Sequence, residues 1–148
     1  LSLYIQLNIN QNRMISKISH QCIFVLSQDN AYDFYVNKLG FKVVTDAKFD
    51  KGRWLTVCPK GMEGFEIVLM EANPGMMFDE VAAKKMQELL KSGKMGGASY
   101  ESEDIYATYE EMKAKGVVFT KEPTKEFYGV AAVFVDDSGN WASLTQKK

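Results

Sequence analysis

Histidine occurs once in this chain of 148 residues, at His20, and cysteine twice, at Cys22 and Cys58. The two cysteines form no C-x-x-C pair, so the chain spells out neither a zinc ribbon nor a dithiol redox motif. They read instead as reduced, partly buried thiols of a cytoplasmic protein. Charge of one sign is also missing: 18 basic against 19 acidic residues leave a net charge of −1. Nothing in that balance draws a phosphate backbone or an anionic membrane, so neither nucleic acid nor membrane is an expected partner. No apolar run approaches the roughly 20 residues of a membrane-spanning helix. The opening "LSLYIQLNINQNR" lacks the charged start, long apolar stretch and cleavage site of a secretory signal. With Met14 standing as a natural start, residues 1–13 are expected to be an N-terminal extension peripheral to the fold.

Apolar residues are plentiful, at 46% with 12% aromatic, enough for the core of one domain or of two small fused modules. Alternation predicts a strand over about 15–25, with Ile18, His20, Cys22 and Phe24 on one face. "SQDN" supplies N-cap candidates for a helix of about ten residues that Gly40 stops. "FKVVTDAKF", "RWLTVCP" and "FEIVLMEA" follow as three strands separated by turns at Lys51-Gly52 and "KGMEG". This first β-α-β-β-β unit spans 14–72. Residues 73–96 form a linker in which "FDEVAAKKMQELLKSG" is a helix with an apolar stripe. From 97 to 148 the order recurs: "GASYESED" as strand, "IYATYEEMKAKG" as helix, "VVFTKEP" as strand, and a hairpin turning at residues 137–140. The two helices align with Tyr32 against Tyr106 and Tyr35 against Tyr109. The expected class is α+β: two paired βαβββ modules forming a concave mixed sheet with helices outside, one domain overall.

The duplicated order, "AYDFYVNKLGFKVV" after the first strand, "YEEMKAKGVVFTKEP" in the second unit and "VFVDDSGNWASLTQ" at the end resemble the vicinal oxygen chelate superfamily, the group of glyoxalase I, bleomycin-resistance proteins and extradiol dioxygenases. The resemblance covers residues 15–146. It implies a homodimer and, in metal-dependent members, a His or Gln on the first strand and a Glu on the last strand of each module. His20 stands at the first of these positions and Glu66 at the second, although "FEIVLME" can be read in either phase. In the second module the corresponding positions fall on Gly97, which has no side chain, and Ser143, whose neutral hydroxyl is a poorer ligand for a divalent cation than a carboxylate. Where glyoxalase I has a basic residue for the glutathione carboxylate, this chain has Phe24, whose ring cannot form that pair.

These residues lead to a protein that binds a small, partly apolar molecule in the inter-module cavity, with a degenerate metal site and either no cofactor or a weakly held divalent ion. Phe24, Trp54, Thr56 and Met70 are the candidate ligand contacts of the first module, and Tyr100, Tyr128 and Ser143 those of the second. His20 and Glu66 are the candidate metal ligands. Two readings stand beside this one: a divalent-metal lyase or dioxygenase using His20 and Glu66, and a dimeric interaction module without a cavity. His20 also reads as a histidine hydrogen-bonded within the core or cavity, or as a general base. Glu101, Glu103 and Asp104 read as charge at a helix N-terminus, "KSGKMGG" as a connector, and the methionines around the linker as gap-fillers or an adaptable ligand lid.

Overall fold

The structure, a computed structural model, describes residues 14–148. The expected extension, 1–13, lies outside the described residues. The elements run β1 (His20–Val25), α1 (Gln28–Tyr32) continuing into a π-helical segment (Asp33–Lys38), β2 (Lys42–Phe49), β3 (Gly52–Cys58), β4 (Glu66–Glu71), α2 (Glu80–Lys91), β5 (Gly96–Glu101), α3 (Ile105–Ala114), β6 (Val118–Glu126), β7 (Gly129–Val135) and β8 (Trp141–Lys147). They build two four-stranded mixed sheets of identical order, β1-β4-β3-β2 and β5-β8-β7-β6. In each sheet the first strand lies parallel to the last, and the other neighbours are antiparallel. The α+β two-module architecture expected from the duplicated order is the one observed.

Two boundaries differ from the sequence expectation, each for a physical reason. β1 begins at His20 rather than near Ile15 because its partner β4 begins at Glu66, directly opposite. Ile15 and Ile18, which precede it, are exposed. The expected ten-residue helix is α-helical only for its first turn. Ser27 caps it by accepting from the Asn30 amide, after which it widens, with Leu39 N–H donating to the Phe34 carbonyl five residues back. The wider turn lets the consecutive Phe34 and Tyr35 both enter the core, at 4% and 2% exposure.

One hydrophobic core serves both modules. It gathers Ile23, Val25, Leu55, Val57, Ile67 and Leu69 from the first sheet, Ala132, Phe134, Ala142 and Leu144 from the second, and residues from both of the modules' helices. Aromatic contacts cross the boundary: Phe34 stacks on Phe134 at 6.4 Å, and Phe41 meets Tyr100 edge-on at 5.6 Å. Polar contacts cross it too. Asn140 Nδ2 donates to the Phe24 carbonyl, the Leu26 amide donates to Ser138 Oγ, and Tyr35 Oη donates to Asp136. Because the core occupies the helix-facing side of both sheets, the opposite faces are left for other work.

Candidate functional site

Register decides which side chains share that opposite face. In the parallel β1–β4 pair, His20 lies across from Glu66, Cys22 from Val68 and Phe24 from Met70. Val68 in turn faces Thr56 of β3, and Trp54 faces Ala47 of β2. Alternation sends Ile23, Val25, Leu55, Val57, Ile67 and Leu69 to the core and leaves His20, Phe24, Trp54, Thr56, Glu66 and Met70 together on the other side. The phase of "FEIVLME" that was open in the sequence is thereby fixed, and Glu66 comes out beside His20.

The polar members of this face are bonded to one another. His20 Nε2 is 3.0 Å from Glu66 Oε2. A carboxylate can only accept, so the contact places a proton on Nε2. Thr56, fully buried, donates its hydroxyl to Glu66 Oε1 at 2.6 Å. The Ser19 hydroxyl lies 2.9 Å from His20 Nδ1, so both imidazole nitrogens are engaged. The Trp54 ring reaches back to 6.4 Å from the imidazole, and Val68 beneath is 2% exposed. At the far end Phe24 meets Phe78 of the linker edge-on at 5.4 Å. Met70 there borders a cleft of about 230 Å³ whose walls include Arg53, Glu71, Met76 and Met77.

The donor set can be tested against a divalent ion. Two donors bound at about 2.1 Å to one zinc ion stand roughly 3.0–3.4 Å apart, and the His20–Glu66 separation of 3.0 Å has that span. A catalytic zinc site usually needs a third protein ligand. Among the described residues no three His, Cys, Asp or Glu side chains converge on such a point. The residues present therefore fit two corners of a coordination shell and not a three-ligand site.

In the second module the matching face carries hydroxyls. Ser99, not Gly97, stands across from Ser143, because the β5–β8 register shifts between Gly96 and Ser99. Ser143 Oγ donates to Ser99 Oγ at 2.7 Å. Ser99 was missed in the sequence because the shift cannot be counted from spacing. The half-exposed Trp141, across from Gly96, shares this face and was missed with it.

Two expected contacts lie elsewhere. Tyr100 points with Ala98 into the core, stacked on Phe134 at 6.1 Å, so β5 alternation turns it away from Ser99 and Ser143. Among the described residues its buried hydroxyl has no hydrogen-bond partner within reach, and burial, then the nearby Asp136 charge, raise its pKa. Tyr128 sits in the exposed turn between β6 and β7, edge-on to Phe127 at 5.0 Å.

Residues 17–144 match the Glyoxalase/Bleomycin resistance protein/Dioxygenase superfamily, and the chain belongs to that superfamily. It is 39% identical to the uncharacterized protein YurT of Bacillus subtilis strain 168, over 88% of this chain and 99% of that protein. The crystal structure of UcmS2 is similar at 42% identity with a TM-score of 0.85, covering 89% of this chain and 98% of that one. TnmS3, an antibiotic binding protein from Streptomyces sp. CB03234, is similar at 27% identity with a TM-score of 0.73, covering 93% and 100%. Among the described residues no helix is long and apolar enough to cross a membrane.

Proposed function

We propose that this protein is a cytoplasmic binder of a small, partly apolar molecule held on the sheet face of His20, Phe24, Trp54, Thr56, Glu66 and Met70. The Ser143-bearing face of the second module supplies the opposing wall, in a homodimer. One observation carries the reading: a hydrogen-bonded His–Glu–Thr cluster is set in an aromatic, apolar face that the hydrophobic core does not use. A few fixed polar groups in an apolar surround are what orient a small ligand. The antibiotic-binding function named for TnmS3 supports the same class of role. Native mass spectrometry of the untagged protein against a small-molecule library tests it. We expect a discrete adduct whose abundance falls at least tenfold in Trp54→Ala, and an adduct indifferent to both Trp54→Ala and His20→Ala would place the ligand elsewhere.

A divalent-metal lyase or dioxygenase remains the second reading, and the 3.0 Å separation of His20 Nε2 and Glu66 Oε2 is what favours it. We expect metal analysis of the untagged protein to find no stoichiometric Zn or Ni, and methylglyoxal with glutathione to give no glyoxalase I turnover. An ion that survives dialysis and is lost in His20→Ala would decide for the enzyme.

A further inference from the structure

The segment between β4 and α2 crosses the open face of the first sheet. It leaves the sheet at Ala72, whose carbonyl accepts from Gln87 Nε2 at 2.6 Å, and ends at Asp79, which caps α2 by accepting from the Ala82 amide at 2.7 Å. Between these anchors it folds back on itself, the Gly75 amide donating to the Phe78 carbonyl at 3.0 Å. Two contacts fix the side of the sheet over which it passes. Half-buried Phe78 stands edge-on to Phe24 of β1 at 5.4 Å, and a Cβ at Gly52 of β3 would meet Met76 Cε at 3.4 Å. Phe24 has the strand parity of His20, and Gly52 that of Trp54 and Thr56, so both contacts lie on the face opposite the core. β4 runs between β1 and β3, and its Met70, across from Phe24, is 7% exposed. The segment is a strap laid over β1, β4 and β3 at the Phe24–Met70 row.

The strap makes the two ends of the face unlike. At the Phe24 end it closes the face with the Phe78 ring and the Met76 thioether, while at the other end His20 and Glu66 keep 40% and 23% of their side chains exposed. His20 and Phe24 belong to one extended strand, and the rise of about 3.3 Å per residue sets them about 13 Å apart. A molecule lying along β1 meets hydrogen-bonding groups at its first end and aromatic rings at its last. We infer that the ligand is an elongated amphiphile, its polar head at His20 and Glu66 and its apolar tail ending against Phe78, which limits the length accepted to about 13 Å. This rests on the ligand-binding reading above and adds to it the shape of the ligand and the residue that selects for it.

The test titrates the full chain, ¹⁵N-labelled, with a series of primary alcohols that carry a terminal phenyl ring: phenylethanol, phenylbutanol, phenylhexanol and phenyloctanol. The Trp54 indole N–H reports binding, assigned by its loss in Trp54→Phe. Wild-type affinity is expected to rise by up to about fourfold per methylene and then to stop rising within the series. Phe78→Ala should tighten phenyloctanol by about tenfold, the worth of nearly two further methylenes, with little change for phenylethanol. Phe78→Trp should end the rise at a shorter alcohol, and circular dichroism checks that both variants are folded. A rise that continues to phenyloctanol in the wild type, or one length dependence shared by all three proteins, overturns the inference and leaves the ligand-binding reading standing. A loss in Phe78→Ala of equal size for every alcohol overturns it too, since that marks a structural role. Absence of a saturable shift with all four alcohols overturns the inference and removes the support for ligand binding on this face as well.

Discussion

The Asp136 carboxylate accepts four hydrogen bonds at the junction of the modules: from Tyr35 Oη at 2.7 Å, and from the Ser138 amide, the Asn140 amide and Asn140 Nδ2 at 2.9 Å each. Burial, followed by the Asp136 charge, raises the Tyr35 pKa, so its phenol stays a donor. Tyr35→Phe removes one donor to a charged acceptor and should cost about 1.5–3 kcal/mol in urea unfolding. A loss below 0.5 kcal/mol would mean that this contact does not tie the modules. The neighbouring Asp137 behaves differently. Lost hydration, then repulsion from Asp136, push its carboxyl up to about 6, against weaker opposing pulls from Ser138, its own backbone and Lys38. The folded state therefore binds this proton more tightly than the unfolded chain, whose aspartate titrates near 3.9. Stability from this group falls as pH rises between about 4 and about 6 and is level above. Asp137→Asn should raise the melting temperature at pH 7, with the gain shrinking as pH drops below 6. A gain constant from pH 4.5 to 7.5 would exclude this account.

At the scale of elements, the β7–β8 hairpin does more than join two strands. Gly139 has φ +98, and a Cβ there would stand 2.4 Å from the Leu90 carbonyl of α2. Hairpin and connecting helix touch backbone to backbone, which only glycine permits. Gly139→Ala should destabilise the protein by more than 2 kcal/mol, since strain at positive φ alone costs roughly 1–3 kcal/mol. Thermal melting shows it. Ser27→Ala should cost about 1 kcal/mol, the usual value for a lost N-cap, because the Asn30 amide loses its acceptor. The turn at residues 137–140 and the stop at Gly40 were legible in the sequence through their glycines. The π-helical widening over Asp33–Lys38 was not. Helical spacing marks which residues are apolar, and the width of the turn depends on what they pack against.

For the molecule as a whole, the shared core has a direct consequence. Phe34 and Tyr35 of the first module pack with Phe134 and Asp136 of the second, so neither module covers its own apolar face. Full-length protein should melt in a single transition, and residues 14–72 expressed alone should show no cooperative unfolding. Two separate transitions would mean that the cores are independent.

The duplicated β-α-β-β-β order, the class of fold and the strand face that His20 shares with Cys22 and Phe24 were set by the sequence alone, because alternation, helical spacing and turn residues are local properties read over a few positions. Glu66 was a candidate in the sequence but its phase was open, since strand alternation allows two settings and only pairing with β1 selects one. Tertiary structure alone decided that Glu66 meets His20, that Ser99 rather than Gly97 faces Ser143 and that Tyr100 belongs to the core. All three depend on register between strands more than 40 residues apart in the chain, and register is settled by the packing of both sheets against one core.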